Sequence, residues 1–364
     1  MPTHNPDNER IKRRYFAYLK EAKRRGEPSV DGAAMAFSRF ETYTKFRDFK
    51  AFHKEQAIAF KRHLAEQMSV ATGKPLSKAT LYSTMGALKA FFLWLAGQPG
   101  FRSRFTYSDA DYFNLSDRDA RIAKAHVEKA APSLEQVRDI VLSMPSDDPL
   151  QRRDRALVAF ILLTGARDGA VISLKMKHFD LAEGRIVQDA REVATKFGKT
   201  FSTWFFPVGD DMRRIVEEWA AYLTQEMLWG PGDPLFPATR MEVGPEHKFH
   251  SVGLERRHWS SAGPIRVVFC RAFAAAGLPY FSPHRLRDTL VALAQQRCRT
   301  PEEFKAWSQN LGHSQVLTTF TSYGSVSATR QAAIIRNLAE GDVPSNDALD
   351  ELAAWLAKYR GTKK

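Results

Sequence analysis

The chain of 364 residues carries only two cysteines, Cys270 and Cys298. That pair fits neither a disulfide framework nor a metal-ligand pattern, so no oxidative staple and no structural zinc is expected. Long apolar runs are missing as well. "ALVAFILL" (156–163) and "AFFLWLAG" (90–97) stop far short of the roughly 20 residues a membrane span requires. The opening residues, "MPTHNPDNERIKRRYF", are charged and lack the apolar stretch of a secretory leader, so the chain reads as cytosolic with no membrane partner. There is no internal repeat, no low-complexity tract and no phosphate-cradling P-loop. His247, His250 and His258 lack cysteine or acidic partners at ligand spacing and read as histidines of a wet loop; neither metal nor cofactor is expected.

Positive charge is what the chain has in excess, and it is unevenly spread. Residues 1–130 hold 24 Lys and Arg against 14 Asp and Glu, a net +10, whereas residues 131–364 hold 30 against 27, a net +3. A basic first third fits a polyanionic partner, nucleic acid above all, although a merely solvated surface reads the same way. Helical periodicity marks residues 9–25, 46–67 and 76–97, with Ser77 as a cap and Leu81, Met85, Leu88, Phe92 and Leu95 repeating on one face of the third. The polar segment 108–132 reads as a linker, and Ser133 and Gln136 stand in capping-box positions of the next helix. The expected organisation is a helical domain over 1–107, a linker over 108–132, a second domain over 133–340 and a helical tail over 341–364. Inside the second domain, a helix opened by Pro149 ends at "LTGARDG" (163–169), and "GAVISLKMKHFDL" resumes with helical pattern. The period then changes: "GRIVQD", "REVATK" and "FSTWFFPV" read as short strands, with "KFGK" (196–199) as the turn between the last two. Residues 230–264 are rich in Gly and Pro and read as a long irregular loop or insertion.

Several residues carry chemistry. In "SPHRLRDT" (282–289), Ser282 is placed as an N-cap and Pro283 at the first helical position, which sets His284 and Arg287 on one face of the first turn. Free N–H groups at that end suit a phosphate oxygen; an exposed histidine and arginine is the plain alternative. Arg167 follows a glycine at a helix break beside an apolar run, where a guanidinium is costly unless an anion or a nearby Asp meets it. Lys196 and Lys199 flank the glycine of a turn. In "LGHSQVLTTFTSYGSVS", Tyr323 stands ten positions after His313. Taken alone it reads as a core residue, because Val316, Phe320 and Tyr323 fall at i, i+4 and i+7 of a helix.

The ordered series "LTGAR…TKFGK…HRLR…LGH…Y" resembles the tyrosine recombinases, the phage-integrase family of site-specific DNA recombinases. "SKATLYSTMGALKAFFLWLA" is similar to the signature helix of that family's core-binding domain. The resemblance implies a mainly α fold with a small antiparallel β-sheet, in which a helical SAM-like core-binding domain and a mixed α/β catalytic domain form a C-shaped clamp. It implies site-specific integrase or recombinase activity through a 3′-phosphotyrosyl intermediate, without metal or ATP. It also implies duplex DNA as partner, a homotetramer on DNA, accessory DNA-bending proteins, and a nucleoid-associated life in a bacterial or phage-derived setting. Position by position, Arg167, His284, Arg287 and His313 match the family's phosphate-binding and proton-handling residues, and Tyr323 its nucleophile. Lys196 matches the hairpin lysine, with Lys199 the alternative.

Two departures stand out. "RDGA" puts Ala170 where the family has an acid, so Asp168 stands in or the buttress of Arg167 is lost. The His-to-Tyr spacing is ten where nine is common, and one extra helical residue turns a side chain by about 100°. On the signature helix, Lys78 and Lys89 share one side and are placed to meet phosphates, Thr80 pointing the other way, with solvated side chains the alternative for all three. The "NDALDELAAWLAKY" tail (346–359) is an amphipathic helix expected to dock on a neighbouring subunit or on its own domain. Loss of cutting with DNA binding retained, or relaxation of supercoils as in type IB topoisomerases, are the other outcomes this fold allows.

Overall fold

The computed structural model describes residues 4–69, 73–125, 130–244 and 246–313. Tyr323, the ten-residue spacing before it and the amphipathic tail lie outside the described residues. The chain divides into two compact units, residues 1–125 and 126–364.

Helices build the first unit: α1 (Pro6–Ala17), α2 (Glu27–Thr44), α3 (Lys54–Glu66), α4 (Lys78–Ala96) and α5 (Asp117–Lys124). Asn5 caps α1, and the helix runs on into a π-helical turn over Tyr18–Ala22. The pattern over 46–67 becomes helix only from Lys54, after a 3₁₀ turn over Phe49–Ala51. Sequence reading passes over α2, whose buried stripe of Val30, Ala33, Ala36, Phe37 and Phe40 is partly alanine, so the segment as a whole is less apolar than α4. Ser77 caps α4, its hydroxyl accepting from the Thr80 N–H at 3.1 Å. Residues 107–124 carry ordered structure: a 3₁₀ stretch over Tyr107–Phe113 packs on α4 with Ala110 and Phe113 fully buried, and α5 follows. The core of this unit is aromatic. Phe92 stacks on Phe52 at 3.9 Å and meets Phe40, Phe49, Phe91, Phe105 and Phe113 within 6.1 Å.

The second unit contains α6 (Leu134–Ser143), α7 (Pro149–Thr164), the one-turn α8 (Asp168–Val171), strands β1 (Phe179–Asp180), β2 (Arg185–Gln188) and β3 (Phe201–Trp204), α9 (Asp210–Ala221), β4 (Ala238–Val243), β5 (Phe249–Glu255), α10 (Gly263–Ala275), α11 (Arg285–Arg297) and α12 (Pro301–Asn310). The capping box of Ser133 and Gln136 forms, with bonds of 2.9 and 3.1 Å. Every side chain of α7 from Ala156 to Leu163 is buried, so this helix is apolar all round and serves as the axis on which α6, α9, α10 and α11 pack. Strands β1, β2 and β3 form one antiparallel sheet in sequence order, and β4 and β5 a separate hairpin. Among the described residues, no helix is long and apolar enough to cross a membrane.

Three local expectations need correction. "REVATK" is not a strand: Asp189 accepts from the Arg191 N–H at 3.0 Å, its carbonyl takes the Val193 N–H at 2.7 Å, and Val193 plugs the core. These local bonds compete with strand pairing and turn residues 189–200 into one long connection between β2 and β3. Residues 230–264 are not irregular; they hold the β4–β5 hairpin, whose alternation is obscured by the Gly and Pro that flank it. After the glycine break, only Asp168–Val171 is helical, and the chain passes through a 3₁₀ turn over Met176–His178 into β1.

Phe92→Ala leaves a cavity that its ring neighbours cannot all collapse into. A loss of about 3–5 kcal/mol is expected in urea unfolding of the full chain, read from the transition of the first unit.

Candidate functional site

The site grows from the end of α7. Gly165 closes the helix in a left-handed conformation (φ +60°), and a Cβ there would stand 2.8 Å from Leu311 and 3.0 Å from Leu290. Only glycine lets α11 and the end of α12 come this close. The turn delivers Arg167, half-buried, in extended conformation at the start of α8.

Helix α11 begins at Arg285, later than Pro283 suggests. Pro283 and His284 form a turn, closed by the Arg285 N–H on the Ser282 carbonyl at 2.8 Å, and Ser282 is not the cap; His284 is. His284 and Arg287 nonetheless stand one turn apart, as the motif requires. Arg287 is 2% exposed. Its guanidinium donates to the Gly165 carbonyl, to the Leu311 carbonyl at 2.6 Å, and meets Nε2 of His313 at 3.0 Å. Arginine has no acceptor, so the last contact is a hydrogen bond only when Nε2 is bare and the imidazole neutral. The electrostatics agree. Burial, then the charges of Arg287 and Arg167, push His313 down to about 3, with His284 and Lys196 adding to the effect. His284 is pushed down to about 4 by partial desolvation and by Arg287, Arg285 and Arg167, with Asp168 opposing.

Arg167, Lys196, His284, Arg287 and His313 therefore form one electrostatic cluster, in which each histidine feels the cations around it. Lys196 opens a 3₁₀ turn over Lys196–Gly198 and is exposed; Lys199 is half-buried and, with His313, lines a recess of about 990 Å³ between β3 and α12. Both lysines are thus near the site. Asp168 pairs with Arg266 at 3.1 Å, and Ala170, where the resemblance expects an acid, is buried.

The three positions on α4 lie within the first unit. Lys78 pairs with Asp119 at 2.8 Å; Lys89 pairs with Asp111 at 2.8 Å and bonds the Asn114 side chain at 2.9 Å. Both lysines face the segment packed on α4, while the Thr80 hydroxyl bonds that of Ser77 at 2.9 Å. Among the described residues, no group of three or more His, Cys, Asp and Glu is placed to hold a metal ion.

Two residues that sequence reasoning passed over, Arg266 and Asn310, stand beside these groups, as does Gly312, read from sequence only as part of "LGH". Arg266, from α10, occupies Asp168. Gly312 has φ +71°, and a Cβ there would stand 2.6 Å from the Phe201 ring, so the glycine of "LGH" lets the turn close on β3. Asn310 bonds the backbone of Trp204 through its side chain. The glycine was visible as part of a motif, but its reason is a tertiary contact. Nothing local marks Arg266 or Asn310.

No family model matches the chain. Among curated proteins, it is 26% identical over 264 residues to tyrosine recombinase XerC 1 of Ralstonia nicotianae, covering 71% of this chain and 72% of that one. It is 24% identical over 237 residues to tyrosine recombinase XerD of Haemophilus ducreyi, covering 64% and 71%. Among solved structures, a lambda integrase dimer bound to a COC′ core site aligns with a TM-score of 0.59 and 15% identity, over 88% of this chain and 96% of that chain. The XerH recombinase in its post-cleavage complex with a palindromic difH substrate aligns with a TM-score of 0.59 and 18% identity, over 89% and 83%.

The depressed histidines fix the sign of a pH effect. Both rings stay neutral in the folded chain below the ordinary 6.5, whereas the unfolded chain takes up protons there. The fold therefore loses stability as pH falls from 6.5 through about 4 for His284 and about 3 for His313. Urea midpoints measured across that window should fall less steeply with acid in His313→Gln than in the parent.

Proposed function

We propose that this chain, which belongs to the tyrosine recombinase family, cuts and rejoins duplex DNA at specific sites through a covalent 3′-phosphotyrosyl intermediate. The observation that carries the proposal is the buried Arg287 guanidinium, bonded to two carbonyls and a neutral His313, with Arg167, His284 and Lys196 in the same electrostatic cluster. The bonds to the two carbonyls and the neutral ring cancel none of its formal charge. Such a pocket suits a single phosphodiester, whose developing charge the Arg167 guanidinium and the positive field of the buried Arg287 can stabilise.

On this reading the Tyr323 phenol attacks phosphorus. The Oη–P bond forms, the P–O5′ bond breaks, the phenol proton passes to His284, and Lys196 supplies a proton to the departing 5′-oxygen. Religation is the same exchange reversed; the phosphotyrosine keeps the bond energy, so no ATP is consumed. A ring held near pKa 4 is a weak base, and a phosphate anion entering among the cations raises it. The substrate thus prepares its own base. Lys78, Lys89 and Thr80 of the first unit are proposed to track the backbone, with duplex DNA gripped by a homotetramer assembled on its site.

A second reading keeps DNA binding and loses the chemistry. Ala170 in the acid's place and Asp168 held by Arg266 favour it. Recovery of DNA covalently attached to the protein in cells decides between the two. The parent should yield adducts at a reproducible sequence and Tyr323→Phe none, with Arg287→Ala lowering the yield at least about a hundredfold. Salt-sensitive binding without adduct supports the second reading, and plasmid relaxation without strand exchange supports a topoisomerase outcome.

A further inference from the structure

We propose that Asn310 is a positioning residue, whose side-chain amide fixes the lysine-bearing β2–β3 hairpin against the turn holding Leu311 and His313 and so sets where the leaving-group proton is delivered. The inference rests on the reading that a lysine of that hairpin is the general acid.

Asn310 ends α12, immediately before the residue whose carbonyl takes Arg287. Its Oδ1 accepts from the Trp204 N–H at 2.7 Å, and its Nδ2 donates to the Trp204 carbonyl at 2.8 Å. Its own carbonyl accepts from the Thr203 hydroxyl at 3.0 Å. That hydroxyl, buried, also accepts from Gln188 Nε2 at 3.2 Å, so the connection runs through β3 into β2. One asparagine thus behaves as a single-residue strand on β3, at the edge away from β2. The amide is suited to this, since it holds a donor and an acceptor in one plane; a carboxylate has only acceptors. Gly312 makes a second, independent contact of the same two pieces, because the turn closes directly on Phe201.

The consequence is geometric. Residues 189–200, with Lys196 and Lys199, hang from β2 and β3, while Arg287 and His313 hang from α11 and the end of α12. The acid and the phosphate pocket are on separate elements, and Asn310 is where those elements are bonded. Releasing its side chain leaves the pocket and the Gly312 contact built, and loosens the Trp204 end of the sheet edge from which the lysine-bearing connection hangs.

The test uses the full chain and its recovered DNA site, synthesised with oxygen or with sulfur at the 5′-bridging position of the scissile phosphate. A thiolate leaves without needing a proton, so sulfur removes the need for the acid. Asn310→Ala should slow cleavage of the oxygen DNA at least about tenfold and cleave the sulfur DNA within about threefold of the parent, as should Lys196→Ala. Asn310→Asp, which keeps the acceptor and loses the donor, should fall between. In the DNA-free chain, Asn310→Ala should also speed hydrogen exchange at the Trp204 amide. Equal loss on both DNAs, no loss on either, or unaltered exchange at Trp204 overturns the proposal. If Asn310→Ala is rescued by sulfur and Lys196→Ala is not, the acid is another hairpin lysine and Asn310 keeps its role. The reverse pattern leaves Lys196 as the acid and removes Asn310.

Discussion

The turns around the candidate site depend on one buried cation. Arg287 is drawn from α11 into the interior, where a guanidinium is tolerated only with hydrogen-bond partners. It finds them on chain segments far apart in sequence: the carbonyl that closes α7, the carbonyl after α12, and the His313 ring. The glycines on either side follow from this. Gly165 and Gly312 each adopt positive φ and each sit where a methyl would strike a neighbour, so both turns can bring their backbone to the guanidinium and to β3. The cation that ties the turns together is thus also the charge around which the two histidines and Arg167 gather.

That arrangement also sets the resting state of the histidines. Crowding among cations keeps both rings neutral, and neutrality is what allows His313 to accept from Arg287. A protonated His313 would lose that bond and repel its partner. The pocket is therefore organised around bare imidazole nitrogens, and its acid sensitivity and its geometry have one cause.

The ordered motifs made the cluster legible from sequence because each sits at an element boundary where the residue type is dictated by backbone shape or charge. Arg167 follows a helix-ending glycine, His284 and Arg287 share a first turn, and His313 follows a second constrained glycine. Helices with long apolar runs, such as α4 and α7, were equally plain. What local pattern did not show depends on partners distant in sequence. The connection over 189–200 is folded by Asp189, and by Glu192, which gathers Lys175 at 3.0 Å and Lys177 at 2.8 Å. The β4–β5 hairpin was hidden by flanking glycines and prolines, and α2 by its alanines. Arg266 and Asn310 matter only through contacts made across about a hundred residues of chain.

The ion pairs of α4 bear on how the charge of the first third is used. Lys78 and Lys89 each have a carboxylate already seated on them, Asp119 and Asp111, from the segment packed against the helix. The formal surplus of that region overstates the bare charge at this surface. A polyanion reaching either lysine must first part it from that carboxylate, a cost that offsets part of the gain from releasing the polyanion's own condensed cations. The charge that this face of α4 presents is therefore set by these pairs, not by the count of lysines.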